Sequence, residues 1–148
     1  GFHDAGMNSY NHYAYGAIGA WMYATVAGLD LDPDAPGYRR ILVRPRPGGT
    51  LTHARATLMT PCGKASSQWR LRDGRIELTV VVPANATARV RVPSSDPGAV
   101  LESGRVAVGA KGITPAGIEN DALILDMGAG EYRFVAPWQF TGNTERKP

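Results

Sequence analysis

Cysteine is nearly absent from this sequence, and charge is absent from one long interval near its start. Cys62 is the single cysteine among 148 residues, which excludes an internal disulfide framework and any metal site built from several thiolates. Between Asp4 and Asp30 there is no Asp, Glu, Lys or Arg, and the first glutamate is Glu77. No Gly-x-Ser-x-Gly elbow occurs, and the stretch from Gly109 to Gly112 is too short, and precedes no helix, to cradle a phosphate. The balance of 16 Lys and Arg against 13 Asp and Glu leaves a net charge of +3, so bulk electrostatics gives no reason to expect a nucleic acid or a membrane as partner. The chain opens on Gly1 without a leader pattern, and the first methionine is Met7. That opening reads as part of a longer polypeptide, with any signal peptide upstream, so a cytoplasmic and a secreted location both stay open.

What is present in quantity is turn chemistry. The 18 glycines and 11 prolines, beside an apolar content of 43%, point to a globular domain of many short strands. The exception is the uncharged interval. Residues 11–28, NHYAYGAIGAWMYATVAG, read as one helix: Ser9 or Asn11 can cap its start, and Gly28 can end it before Pro33 and Pro36. Ile18, Trp21, Met22, Thr25 and Val26 share one face, while Ala17, Ala20, Tyr23, Ala24 and Ala27 share the other. A helix apolar all round is buried on all sides or lies in a membrane. Its strictly apolar part, Tyr13 to Leu29, is at the short limit of a span and has no flanking Lys or Arg before Arg39, so burial against other helices is the better reading. Those helices are not in this chain.

After residue 37 the hydrophobic period changes to two. Ile41 and Val43 alternate with Arg40, Leu42 and Arg44; residues 65–71 and 75–82 pair across Asp73-Gly74; Ala88, Val90 and Val92 alternate with Arg89 and Arg91. Further strands are expected over residues 52–60, 100–102, 105–108, 122–126 and 131–135. The expected fold is therefore mainly β: an antiparallel β-sandwich over residues 38–140, preceded by one apolar α-helix, with residues 29–37 as linker and 141–148 as a disordered tail.

Several residues invite a functional reading. Asp30, Asp32 and Asp34 resemble the start of a calcium loop, but Ala35 stands where that loop needs glycine and Ile41 where it needs glutamate, so a solvated linker is the simpler reading. Arg39, Arg40, Arg44 and Arg46 cluster without interleaved aromatics, and the three aspartates are close enough in sequence to neutralise them. Cys62 has no neighbouring base to activate it. His12, with Asn11 beside it, is the most suggestive: an imidazole and an amide at the mouth of an apolar helix can hydrogen-bond a sugar hydroxyl, although from the residues alone capping or packing the helix start is the simpler reading of His12.

The segments MNSYNHYAYGAIGAWMY and VAGLDLDPDAPGYRRILVRPRPGG carry a resemblance. They are similar to the end of the catalytic domain of bacterial α-L-rhamnosidases of glycoside hydrolase family 78, in which a Ser-Phe-Asn-His-Tyr-x-x-Gly segment opens the last helix of an (α/α)6 barrel. Ser9, Asn11, His12, Tyr13 and Gly16, then Ala35 to Tyr38 and Arg44 to Gly49, are the matching positions. Residues 60–93 resemble that family's C-terminal sandwich, with Tyr10 standing where Phe is usual and Cys62 where Tyr is usual. The resemblance implies that residues 1–28 close a six-hairpin barrel whose other helices lie upstream in the same polypeptide. It implies rhamnose-containing glycosides as substrates and inverting hydrolysis by two upstream glutamates, with no cofactor and no metal. His12 and Asn11 would be substrate contacts, and no catalytic residue is assigned within this chain. The alternative is a stand-alone carbohydrate-binding or interaction sandwich, with Trp69 and Trp138 as candidate sugar platforms, although a place in the core is the better reading of Trp69.

Overall fold

The computed structural model describes residues 13–138. Helix α1 (Tyr13–Trp21) continues into a π-helical turn, Met22–Ala27, and Gly28 ends it with φ 76°. Glycine adopts that left-handed conformation with the least strain, and the Gly28 N–H donates to the Tyr23 carbonyl. The expected stop at Gly28 is thus present, but the last turn is wider than an α-helix. Asn11 and His12 lie outside the described residues, as does the expected tail.

The chain then forms strands β1 (Leu29–Leu31), β2 (Arg40–Val43), β3 (His53–Thr60), β4 (Gly63–Arg72), β5 (Arg75–Val82), β6 (Thr87–Val92), β7 (Leu101–Glu102), β8 (Arg105–Val106), β9 (Ile113–Glu119), β10 (Ala122–Met127) and β11 (Gly130–Pro137). They make two sheets, ordered β1-β2-β6-β10-β9 and β3-β4-β5-β11-β7-β8. The mainly β fold, two sheets with one short helix ahead of them, is the expected one. All pairs are antiparallel except β2 with β6, which run parallel with Ile41 opposite Ala88 and Val43 opposite Val90.

Two strands depart from the sequence reading. β1 occupies the start of the segment read as a linker, pairing Leu29 with Val43 and Leu31 with Ile41. Its two-residue alternation is too short to register as a strand among the surrounding aspartates and prolines. β9 contains Pro115 and Gly117, which break a strand pattern, but it is an edge strand, where a missing N–H costs no ladder bond. A bulge follows: Gly117 faces Ile124 and Pro115 faces Leu125, leaving Ala116 unpaired.

The hairpin expected at Asp73-Gly74 is present, with Arg72 opposite Arg75 and both loop residues at positive φ, 50° and 68°. That is the geometry whose twist matches the flanking strands. Asn120-Asp121, at φ 44° and 57°, closes β9 onto β10 in the same way.

The core lies between the sheets. Ile41, Val43, Ala88, Val90, Val92, Leu123, Leu125 and Met127 face it from one side; Ala65, Trp69, Ile76, Leu78, Val80, Val82, Phe134 and Ala136 face it from the other. Trp69, Leu78 and Phe134 stand in one row across three strands. Tyr132 and Phe134 stack in parallel with ring centroids 6.3 Å apart.

Candidate functional site

The helix that follows His12 in sequence is seated on the sandwich by its C-terminal end. A helix leaves its last four carbonyls without intrahelical donors, and here each carbonyl from Thr25 to Gly28 finds one in the sandwich. The Thr25 oxygen accepts from the Arg46 amide at 3.2 Å and the Gly28 oxygen from the Arg44 amide at 2.7 Å. The Val26 oxygen accepts from the Trp69 indole Nε1 at 2.7 Å, and the Ala27 oxygen accepts from the Ser67 hydroxyl at 2.7 Å. Ser67 and Trp69 are both fully buried, so neither donor has water as an alternative. Gly28 itself lies flat on the Arg44–Pro45 peptide; a Cβ added there would come 2.2 Å from the Pro45 nitrogen. The Tyr23 hydroxyl donates to the Thr57 carbonyl of β3 at 3.4 Å.

Away from this seat the helix is bare. Ile18 and Trp21 are 58% and 56% exposed, Met22 and Tyr23 also stand in solvent, and space is open around Gly16 and Gly19. Among the described residues no helix is long and apolar enough to cross a membrane.

The aspartates of residues 30–34 answer arginines rather than converging on an ion. Asp30 pairs with Arg44 at 3.2 Å and Asp32 with Arg40 at 2.5 Å, while the other Asp32 oxygen accepts from the Asp34 amide. The Arg40 hydrogen bond, followed by that amide, holds the Asp32 carboxyl below its usual range. Next to them on the outer face of the first sheet, Arg89 grips Asp126 through two bonds of 2.8 Å and lowers its pKa likewise, against an opposing effect of burial. Among the described residues no three His, Cys, Asp or Glu side chains come together to hold a metal. The Cys62 thiol packs against the edge of the core and donates to the Asn85 carbonyl at 3.9 Å.

Of the two tryptophans weighed as sugar platforms, Trp69 is a core residue, the role expected for it. Its ring is fully buried and its N–H is spent on the helix, so no sugar can reach it. Trp138 is half-buried at the margin of an open concavity of about 920 Å³, lined by Arg44, Arg46, Arg91, Glu119 and Ile124 among others.

The family model described as "Bacterial alpha-L-rhamnosidase C-terminal domain" matches residues 28–107, from the seat glycine into the second half of the sandwich. The chain belongs to this family. An α-L-rhamnosidase of Streptomyces avermitilis is 42% identical over 135 residues, covering 91% of this chain and 12% of its own length. One from Formosa agariphila is 46% identical over 96 residues, 65% of this chain and 10% of its own length. Among solved structures, the Streptomyces avermitilis α-L-rhamnosidase complexed with L-rhamnose superposes with a TM-score of 0.75 at 40% identity, covering 92% of this chain and 12% of that one. The α-L-rhamnosidase from Dictyoglumus thermophilum gives 0.73 at 28% identity, covering 88% and 14%. This chain therefore spans about an eighth of the length of the rhamnosidases it matches.

In this rhamnosidase C-terminal domain, the seat for the helix is what sequence reasoning missed. Its signal is nonetheless present. Ala65, Ser67 and Trp69 alternate on the inward face of β4, and a hydroxyl and an indole N–H at two inward positions each require a buried acceptor. Among the described residues the acceptors they find are the Ala27 and Val26 carbonyls at the end of the helix.

Proposed function

We propose that this chain is the C-terminal part of an enzyme that removes terminal α-L-rhamnose from rhamnosides with inversion, contributing the last helix of the catalytic barrel and the sandwich behind it. The observation that carries this reading is the match over 91% of this chain to only 12% of the Streptomyces avermitilis α-L-rhamnosidase. The bare apolar helix adds support, because Ile18, Trp21 and Met22 need the other barrel helices to cover them.

The reaction needs a carboxylic acid that protonates the glycosidic oxygen as its bond to the anomeric carbon breaks. It also needs a carboxylate that takes a proton from water as the water oxygen attacks that carbon from the opposite face. Both are assigned to upstream glutamates. Every glutamate of this chain from Glu77 onward belongs to the sandwich or the residues after it, so the 148 residues alone are inactive. His12 and Asn11 donate hydrogen bonds to hydroxyls of the bound rhamnose and orient its ring.

The test is hydrolysis of an aryl α-L-rhamnoside. The isolated chain gives none, and in the full-length enzyme His12→Ala lowers kcat/KM by about tenfold or more, the loss of one or more hydrogen bonds in the sugar site. Turnover by the isolated chain that one carboxylate substitution abolishes refutes the assignment of chemistry to upstream residues. Unchanged kinetics in His12→Ala return that residue to capping the helix. A stand-alone sugar-binding sandwich would instead bind glycans through residues 38–140 alone; the burial of Trp69 removes one of its two platforms.

A further inference from the structure

We infer that Ser67 and Trp69 are positioning residues for sugar binding, acting through the helix they hold. The inference rests on the reading of His12 as a rhamnose contact and extends it to a pair of side chains in a different domain. His12 immediately precedes α1, and the helix is continuous from Tyr13 to its seat at Gly28. At 1.5 Å per residue the seat lies about 20 Å from the start of the helix. A helix is stiff along its axis, so a shift or tilt at one end reappears at the other.

The seat is suited to fixing both the axial position and the rotation of the helix. Four consecutive carbonyls, set at successive positions around the end of the helix, are each held by a donor that belongs to the sandwich. Two of those donors are backbone amides of residues 44–46, and two are side chains of β4 with no exposure. The contact between Gly28 and Pro45 leaves no slack below them. The π-helical turn is consistent with this, since such turns occur where a local requirement outranks regular helical bonding. The hydrogen bonds satisfy end carbonyls that would otherwise be buried without donors, and because they fall on successive carbonyls they also specify register.

The experiment compares three variants in the full-length enzyme: Ser67→Ala, Trp69→Phe, and Leu125→Ala as a control in the same sandwich core but away from the seat. Thermal midpoint, KM and kcat for an aryl α-L-rhamnoside, and inhibition by free L-rhamnose are measured for each. The seat variants are expected to raise KM and the L-rhamnose inhibition constant about threefold to tenfold, less than the hundredfold that a misplacement of about 1 Å can cause. Leu125→Ala is expected to lower the thermal midpoint at least as far while leaving both constants within about twofold. His12→Ala serves as the reference for the site itself. If His12→Ala weakens sugar binding but the seat variants behave like Leu125→Ala, positioning through the seat is overturned and the reading of His12 stands. If His12→Ala changes nothing, that reading fails and the inference falls with it. A KM rise in Leu125→Ala equal to that of the seat variants also overturns it, because any loss of sandwich stability would then suffice.

Discussion

Trp21 and Trp69 are the same residue in two regions with opposite fates. Trp21, on the helix, is 56% exposed; Trp69, in the sandwich, is 0% exposed and hydrogen-bonded. The sandwich packs a core between its own two sheets while leaving single apolar side chains such as Met59 and Ile118 exposed, and its outer face is laced by Arg89–Asp126 and Arg40–Asp32. The helix has an apolar surface on every side and touches the rest of the chain at one end. Among the described residues, Ala27 is the one helix residue that joins the core. The contrast teaches that amino-acid composition does not separate a domain from a piece of one. What separates them is whether a run of neighbouring apolar side chains, such as Ile18, Trp21 and Met22, meets a partner supplied by the same chain.

The contrast is broken most severely at the junction. Trp69→Ala removes the largest fully buried side chain and leaves the Val26 carbonyl without its donor. A loss of about 3–5 kcal/mol is expected, read from urea unfolding of the 148-residue chain followed by intrinsic fluorescence and circular dichroism. A loss below about 1 kcal/mol would mean that the sandwich core is not organised around this ring. Gly28→Ala follows at about 3 kcal/mol, combining a left-handed φ of 76° with a Cβ driven into the Arg44–Pro45 peptide. This substitution is expected to reduce the helical part of the circular dichroism more than the β part. Equal loss of both would make helix and sandwich one cooperative unit.

How much of this was legible depends on where each decision is made. The strands of the second sheet announce themselves because Ile76, Leu78, Val80 and Val82 alternate without interruption and Asp73-Gly74 fixes their partner. β9 stays hidden because Pro115 and Gly117 are admitted only by its edge position, which is a property of the whole sheet. The pairing of Asp30 and Asp32 with nearby arginines was readable as neutralisation, but the antiparallel β1–β2 ladder that aligns them was not. At the candidate site, the absence of charge marked the helix as needing a cover. The seat stayed out of view because its acceptors are backbone carbonyls, which no residue type advertises. His12 and Asn11 owe their assignment to the resemblance of their flanking motif.

The exposed helix face offers a sharper test, because its answer depends on context. In the 148-residue chain, Trp21→Ser is expected to change unfolding stability by no more than about 0.5 kcal/mol, since the ring leaves solvent for nothing. In the full-length enzyme the same substitution is expected to cost about 2–3 kcal/mol, the scale of a large apolar side chain buried against neighbouring helices. Unfolding monitored in both backgrounds checks it. Equal and small effects would mean that no upstream helix covers Trp21.

The smallest effect lies on the sandwich's own outer face, where it separates surface charge from core. Asp126 has its carboxyl held below the usual range, chiefly by the Arg89 hydrogen bonds, and in the unfolded chain it returns to about 3.9. A carboxylate with a depressed folded pKa stabilises the fold above its unfolded value and loses that contribution as the pH falls through the folded one. The sandwich is therefore expected to lose stability as the pH falls below about 5, with the Asp126 share complete only below its depressed folded value. Both side chains remain 39% or more exposed, so screening by solvent limits the pair to about 1 kcal/mol or less. Asp126→Asn should flatten that part of the acid limb and leave stability at pH 7 lower by the same small amount. An unchanged acid limb would assign the pH dependence to Asp32, whose carboxyl is depressed by Arg40 and which directly follows β1, the strand that begins where the helix stops.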